Sequence, residues 1–260
     1  MTPADGQAAS KGESPDKKPS PETKPCKVGP IIMLGPPGAG KGTQAKLISA
    51  RYGVPQISTG DLLRDNKLRG SELGRAARSY MDRGELVPDQ LIFDMLRTRL
   101  ANLDCNNGFI LDGFPRNLAQ AEWLDKLLKD QFFSEACRMP PIVLSYAVDY
   151  NSLLQRLTGR RSCPTCGRIY NIHTQPPKVA GVCDLEGARL IMRQDDTEEV
   201  ISDRLKEYEE KSLPLKQYYA ALGRLVEVDG NRSPQEVTAI MLKALEDHAR
   251  LGDENRPGAN

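Results

Sequence analysis

Residues 31–34 read IIML, residues 35–43 read GPPGAGKGT and residues 44–52 read QAKLISARY. A short apolar run suited to a buried strand gives way to a glycine-rich turn, which opens a segment of helical character. Glycines at 35, 38, 40 and 42 let the backbone curl so that successive N–H groups point inward, and the helix start adds its positive dipole end. The product is a cradle for phosphate oxygens formed by Gly38, Ala39, Gly40, Lys41, Gly42 and Thr43, with the Lys41 ammonium in reach of β- and γ-phosphates. In one place the stretch departs from the general G-x-x-x-x-G-K-[ST] loop. Gly42 holds the hydroxyl position and Thr43 follows it, so a Mg²⁺ role for this hydroxyl is less secure than in the general pattern.

Working outward, four further apolar runs follow: Gln56 to Ser58, Phe109 to Leu111, Ile142 to Val148 and Leu225 to Val228. Between them lie segments with helical spacing, among them Phe93, Leu96 and Leu100, and Leu124, Leu127 and Leu128. Strands alternating with helices predict an α/β fold, a doubly wound parallel five-stranded sheet covered on both faces, with functional loops at the carboxyl ends of the strands. No internal repeat is present. Residues 1–27 carry five prolines among charged and small residues and read as a disordered tail, residues 28–248 as the folded domain, and residues 249–260 as a frayed end.

The chain has 260 residues, enough to bury a sizeable core, and its 36 basic and 35 acidic side chains nearly cancel. That balance argues against a surface built to coat nucleic acid or an anionic membrane, so any anion must be caught locally. No apolar run approaches the roughly 18 residues of a transmembrane helix, and the N-terminus has neither a signal-peptide nor a transit-peptide pattern. The expectation is a soluble, cytoplasmic protein. Six cysteines, three of them in one short stretch, favour reduced thiols over a secreted framework.

Two more motifs follow the strands: Ser58-Thr59-Gly60-Asp61-Leu62-Leu63-Arg64 after the second, and Asp112-Gly113-Phe114-Pro115-Arg116 after the third, with Gln120 four residues on. In their order and distances from the phosphate loop these resemble the adenylate kinase family, over about Pro30 to Ile240. That family interconverts ATP plus AMP with two ADP. The resemblance implies an AMP site of Thr59, Arg64, Glu85, Leu86, Val87, Gly113, Phe114, Pro115, Arg116 and Gln120, within a flap over residues 58–87. Arginine offers a planar fork for phosphate and glutamine a carboxamide for the adenine edge. Asp112, ending a buried strand, is either where water-bound Mg²⁺ is steadied or a cap for the following loop.

Arg156, Arg160 and Arg161 precede a cysteine-rich insertion, and Arg193 and Arg204 follow it. By the same resemblance residues 159–196 form the long version of a mobile lid. Arg156, Arg160, Ile169, Tyr170 and Arg232 then lie on the ATP side, and Arg193 and Arg204 at the junction of both phosphate chains, with Asp195 and Asp196 as hinge acids that hold these arginines in place. In-line phosphoryl transfer spreads charge over equatorial oxygens and requires no general base, so Lys41, Arg116, Arg160, Arg193 and Arg204 are the expected catalytic set. Closure also matters because water competes with AMP for the γ-phosphate.

Within the lid, Cys163, Cys166, Cys183 and Glu186 make C-x₂-C-x₁₆-C-x₂-E, a frame for structural zinc. Glutamate departs from the Cys or Asp common in long-lid members at the fourth position. His173 is a substitute ligand, and reduced thiols in a hydrogen-bonded lid are the alternative. Cys26, Cys105 and Cys137 lack such spacing. A monomeric ATP:AMP phosphotransferase is the leading reading. A GTP:AMP phosphotransferase and a zinc-stabilised nucleotide switch remain open; the switch leaves the acceptor motifs unexplained.

Overall fold

In the computed structural model, residues 28–132 and 139–254 are described. The proposed N-terminal tail, Cys26, Cys137 and residues 255–260 lie outside them. Nine helices and seven strands occur among the described residues, in the order β1 (Ile31–Leu34), α1 (Lys41–Tyr52), β2 (Gln56–Ser58), α2 (Thr59–Arg69), α3 (Glu72–Arg83), α4 (Asp89–Leu100), β3 (Ile110–Asp112), α5 (Leu118–Leu127), β4 (Ile142–Ala147), α6 (Tyr150–Thr158), β5 (Arg160–Ser162), β6 (Ile169–Asn171), α7 (Glu198–Glu207), α8 (Leu215–Ala221), β7 (Leu225–Asp229) and α9 (Pro234–Glu254).

Five strands form one parallel sheet in the order β2-β3-β1-β4-β7. Each observed strand ends within one residue of its expected run. The side-chain alternation of a strand divides the core in two. Ile32 and Leu34 of β1 pack with Leu63, Ala77, Leu96, Leu124 and Tyr219, from α2, α3, α4, α5 and α8. Ile31 and Met33 pack on the opposite face with Ile48, Leu157, Ile201 and Met241, from α1, α6, α7 and α9. Strands covered on both sides need no polar face, which is why β1 reads IIML without a break.

The connection out of β1 runs to β2 and the connection out of β3 runs back past β1 to β4, so the two part toward opposite edges. The crevice between their carboxyl ends is where an open α/β sheet takes a ligand. It is flanked by two excursions from the sheet. One is the helical pair α2 and α3, whose starts are capped by Ser58 and Ser71 and whose ends are closed by Gly70 and Gly84. The other, between α6 and α7, holds the antiparallel pair β5 and β6 around a small cluster of Cys163, Tyr170, Cys183 and Leu190. At the far end, α9 continues to Glu254, past position 249 where a frayed end was expected. Residues 249–254 lack proline and only Gly252 opposes helix, so the helix carries on from a buried Leu245.

Candidate active site

The loop after β1 does what its glycines allow. Gly38 and Gly40 have φ of 85° and 93°, values that a residue with a Cβ rarely adopts, and a Cβ at Gly38 would stand 2.9 Å from Leu157 Cγ. The turn brings the first residues of α1 to a cavity of about 400 Å³. In this state Lys41 Nζ donates to the carbonyls of Gly35 at 2.8 Å and Pro36 at 2.9 Å. Burial lowers its pKa to about 8, against the pull of the Asp112 carboxylate. Burial conversely raises Asp112, and Lys41 and a hydrogen bond from Gln56 Nε2 at 3.2 Å oppose that.

Gly38, Ala39, Gly40, Lys41, Gly42, Thr43, Arg156, Ile169, Tyr170, Pro115, Arg193 and Arg232 all line this cavity. A second cavity of about 70 Å³ adjoins it and is lined by Thr59, Glu85, Leu86, Val87, Phe114 and Gln120. Arg64, Gly113, Arg116 and Arg204 border both. Thr59 Oγ1 and Arg116 Nε each donate to Gly113 O at 2.8 Å, fixing the chain that separates the two spaces. Behind it Phe114, Phe93 and Trp123 pack together, with Phe93 stacked on Trp123 at 4.3 Å.

The arginines are held apart by carboxylates. Asp196, 1% exposed, receives both ends of the Arg160 fork, through Nε at 2.7 Å and through Nη2, and Arg204 Nη1 lies 3.3 Å from it. Arg204 also pairs with Asp195 at 3.0 Å. Asp61 takes Arg64 at 2.5 Å and has Arg193 at 3.9 Å; burial raises its pKa, but these cations outweigh it and the net shift is downward. Burial lowers Arg116 and Arg193 to about 10, with neighbouring arginines adding to the effect. Neighbouring cations repel one another, and an anion placed among them relieves that repulsion. Contacts between Lys46 Nζ and Gly167 O at 3.2 Å, and between Lys67 Nζ and Gln194 Oε1 at 2.9 Å, tie residues of the 159–196 insertion to α1 and α2, so it lies over the cavity.

Several residues of the site carried no expectation. Asp61, within the 58–64 motif, pairs with Arg64. Ser212, in a π-turn after α7, donates to Arg116 O at 2.8 Å, and Asp89 accepts from Gln120 Nε2 at 2.6 Å. Polar side chains far apart in sequence leave no local signal of this kind. Tyr170 borders the cavity but turns its hydroxyl into the insertion, 3.5 Å from Cys183 Sγ, while accepting the Asp184 N–H at 2.8 Å.

The sulfur atoms of Cys163, Cys166 and Cys183 lie within 4.8 Å of one another, those of Cys166 and Cys183 at 3.7 Å. Ligands about 2.3 Å from a tetrahedral zinc stand about 3.8 Å apart, so the thiols fit that ion. They sit on two like turns. Gly167 N–H donates to Cys163 O and Gly187 N–H to Cys183 O, and both glycines have φ near 65°. Cys166 is the fourth residue of the first turn and Glu186 the fourth of the second. Glu186 is exposed, and its carboxylate lies outside the group that the three sulfurs form. His173 does not join them either.

Among the described residues no helix is long and apolar enough to cross a membrane. The family model described as adenylate kinase matches residues 33–224. The adenylate kinase of Anaeromyxobacter sp. (strain Fw109-5) is 48% identical over 215 residues, covering 83% of this chain and 98% of that protein. That of Thermodesulfovibrio yellowstonii is 49% identical over 217 residues, 83% and 98% of the two chains, and that of Archaeoglobus fulgidus 46% over 217 residues, 82% and 98%. With the phosphate loop, the parallel sheet and the paired cavities in place, these similarities show that the chain belongs to the adenylate kinase family.

Proposed function

We propose that this nucleoside monophosphate kinase transfers the terminal phosphoryl group of Mg-ATP to AMP, reversibly, giving two ADP. The observation that carries the reading is the junction of the two cavities, where Arg64, Arg116 and Arg204 border both. In this reading the larger space takes the donor and the smaller one the acceptor. Lys41 leaves the carbonyls of Gly35 and Pro36 for donor phosphates, and Asp112 steadies the waters of the magnesium that ATP carries. Arg160, Arg193 and Arg204 trade their carboxylate contacts, and Arg116 its bond to the Gly113 carbonyl, for the equatorial oxygens of the moving phosphoryl group, which makes the acids placeholders for substrate. Arg156, Ile169, Tyr170 and Arg232 flank the donor nucleoside; Thr59, the backbone of residues 85–87 and Gln120 flank the acceptor.

Residues 58–87 act as the acceptor flap and residues 159–196 as the lid, within a core that runs from residue 28 to the end of α9. Cys163, Cys166, Cys183 and Glu186 would hold a zinc ion, which would supply the lid with a structural crosslink and take no part in the chemistry. A monomer in the cytoplasm completes the reading, and reduced thiols suit that compartment. A chromatographic scan of donors and acceptors tests the reading. ATP with AMP is expected to outperform every other pair; CMP exceeding AMP would remove Thr59 and Gln120 from base selection, and GTP exceeding ATP would reassign the donor.

A further inference from the structure

Gln120 is 2% exposed and its carboxamide is held at both ends. Oε1 accepts the backbone N–H of Arg116 at 2.7 Å, and Nε2 donates to Asp89 Oδ1 at 2.6 Å. Asp89, at the start of α4, is in turn held by Asn117 Nδ2 at 3.1 and 3.2 Å. Asn117 cannot turn over, because its Oδ1 accepts the Gln120 N–H at 2.8 Å as the cap of α5. A backbone N–H only donates, and an ionised carboxylate only accepts. Rotating the Gln120 amide by half a turn would set NH₂ against N–H and oxygen against carboxylate, replacing two hydrogen bonds by two repulsions.

We propose that Asp89 is a positioning residue for base selection: it locks the Gln120 amide in one orientation, leaving one N–H and one oxygen lone pair in a fixed order for the acceptor base. This rests on the reading that Gln120 meets that base. Adenine presents an amino donor beside a ring-nitrogen acceptor, which the locked amide can pair. Hypoxanthine presents a carbonyl beside a ring N–H and requires the turned amide. Asp89 thereby separates AMP from IMP without touching either.

The test is steady-state kinetics with AMP and with IMP on the full chain and on Asp89→Ala, Asp89→Asn and Gln120→Ala. In Asp89→Ala the Michaelis constant for AMP is expected to rise about tenfold with turnover within about threefold, and the preference for AMP over IMP in kcat/KM to fall at least about tenfold. Asp89→Asn keeps one acceptor oxygen and is expected to lose about threefold of that preference. It carries the test if the alanine variant gives no cooperative melt. An unchanged preference in the folded variants, even with a raised Michaelis constant, would overturn the lock and leave Asp89 a structural contact. If Gln120→Ala alters neither the AMP constant nor the preference, the reading of Gln120 at the base fails first, and the proposal with it.

Discussion

Lys41 reaches the cavity from a loop backed by both halves of the core, where twenty buried residues pack on one face of the sheet and nineteen on the other. Arg160 reaches it from an insertion whose own apolar cluster is Cys163, Tyr170, Cys183 and Leu190. Four side chains cannot offset the backbone entropy of about forty residues at about 1 kcal/mol or more each. The cradle is therefore shaped by the fold before any ligand arrives. The lid depends on ion pairs such as Arg160 with Asp196, on the bonds from Lys46 and Lys67, and on whatever joins the thiols. Under the proposed function one region stays and the other opens and closes, as a site that must exclude water and still release product requires.

The sharpest way to break this contrast is to remove one cation from each side. Lys41→Ala and Arg160→Ala are each expected to lower turnover at least about a hundredfold, because each removes charge from the transition state, on the order of 3 kcal/mol. Rapid-quench or coupled-assay turnover measures this, with the melting midpoint as control. A loss below about tenfold in Arg160→Ala would reduce the lid to a cover. Next, Asp196→Ala strips the buried partner from Arg160 and leaves Arg204 short of one contact. Removing one member of a buried pair costs about 3 kcal/mol or more. Here the cost is expected in the lid alone: protease cleavage within residues 159–196 should speed up about tenfold or more while amide exchange of β1 and β4 stays unchanged.

How much of this was legible differs between the regions for the same physical reason. The phosphate loop is contiguous, and its φ values follow from glycines at 38 and 40, so Gly35 to Thr43 could be read directly. The central strands β1 and β4 were legible because both of their faces are buried. The pairing of Asp196 with Arg160 spans thirty-six residues and was legible only through the resemblance, which gives the hinge acids that role, whereas that of Asp89 with Gln120, thirty-one apart, left no trace. The three thiols announced themselves by spacing, which does not by itself set where the Glu186 carboxylate lies.

Acidity sharpens the contrast from the core side. Burial holds Lys41 near 8 in the free protein, so its ammonium is lost as pH rises through that value, whereas bound phosphates favour the charged form. kcat/KM for ATP is expected to fall by about an order of magnitude between pH 7.5 and 9, with kcat holding to higher pH because the complex keeps the proton. Steady-state profiles at constant ionic strength decide it, and kcat/KM flat to pH 10 would contradict the burial argument. The smallest effect on activity is expected from the metal. The chain purified without chelator is expected to carry about one zinc by elemental analysis. Its removal should lower the melting midpoint while changing turnover at low temperature by less than about twofold, since a closed four-ligand site takes no part in chemistry. Glu186→Ala should weaken retention and Glu186→Cys tighten it; less than half an equivalent in the native chain, with all three thiols titrating freely, would show that the lid is held by hydrogen bonds and packing.

The central claim is that a fixed cradle and a closing lid pass a phosphoryl group between two nucleotides and keep it from water. Simultaneous measurement of ADP and inorganic phosphate, in a mixture of the protein, Mg²⁺, ATP and AMP, tests this most directly. The account predicts two ADP for each AMP consumed and almost no phosphate, with ADP formation abolished when AMP is left out. Phosphate released in step with ADP, whether or not AMP is present, would contradict it.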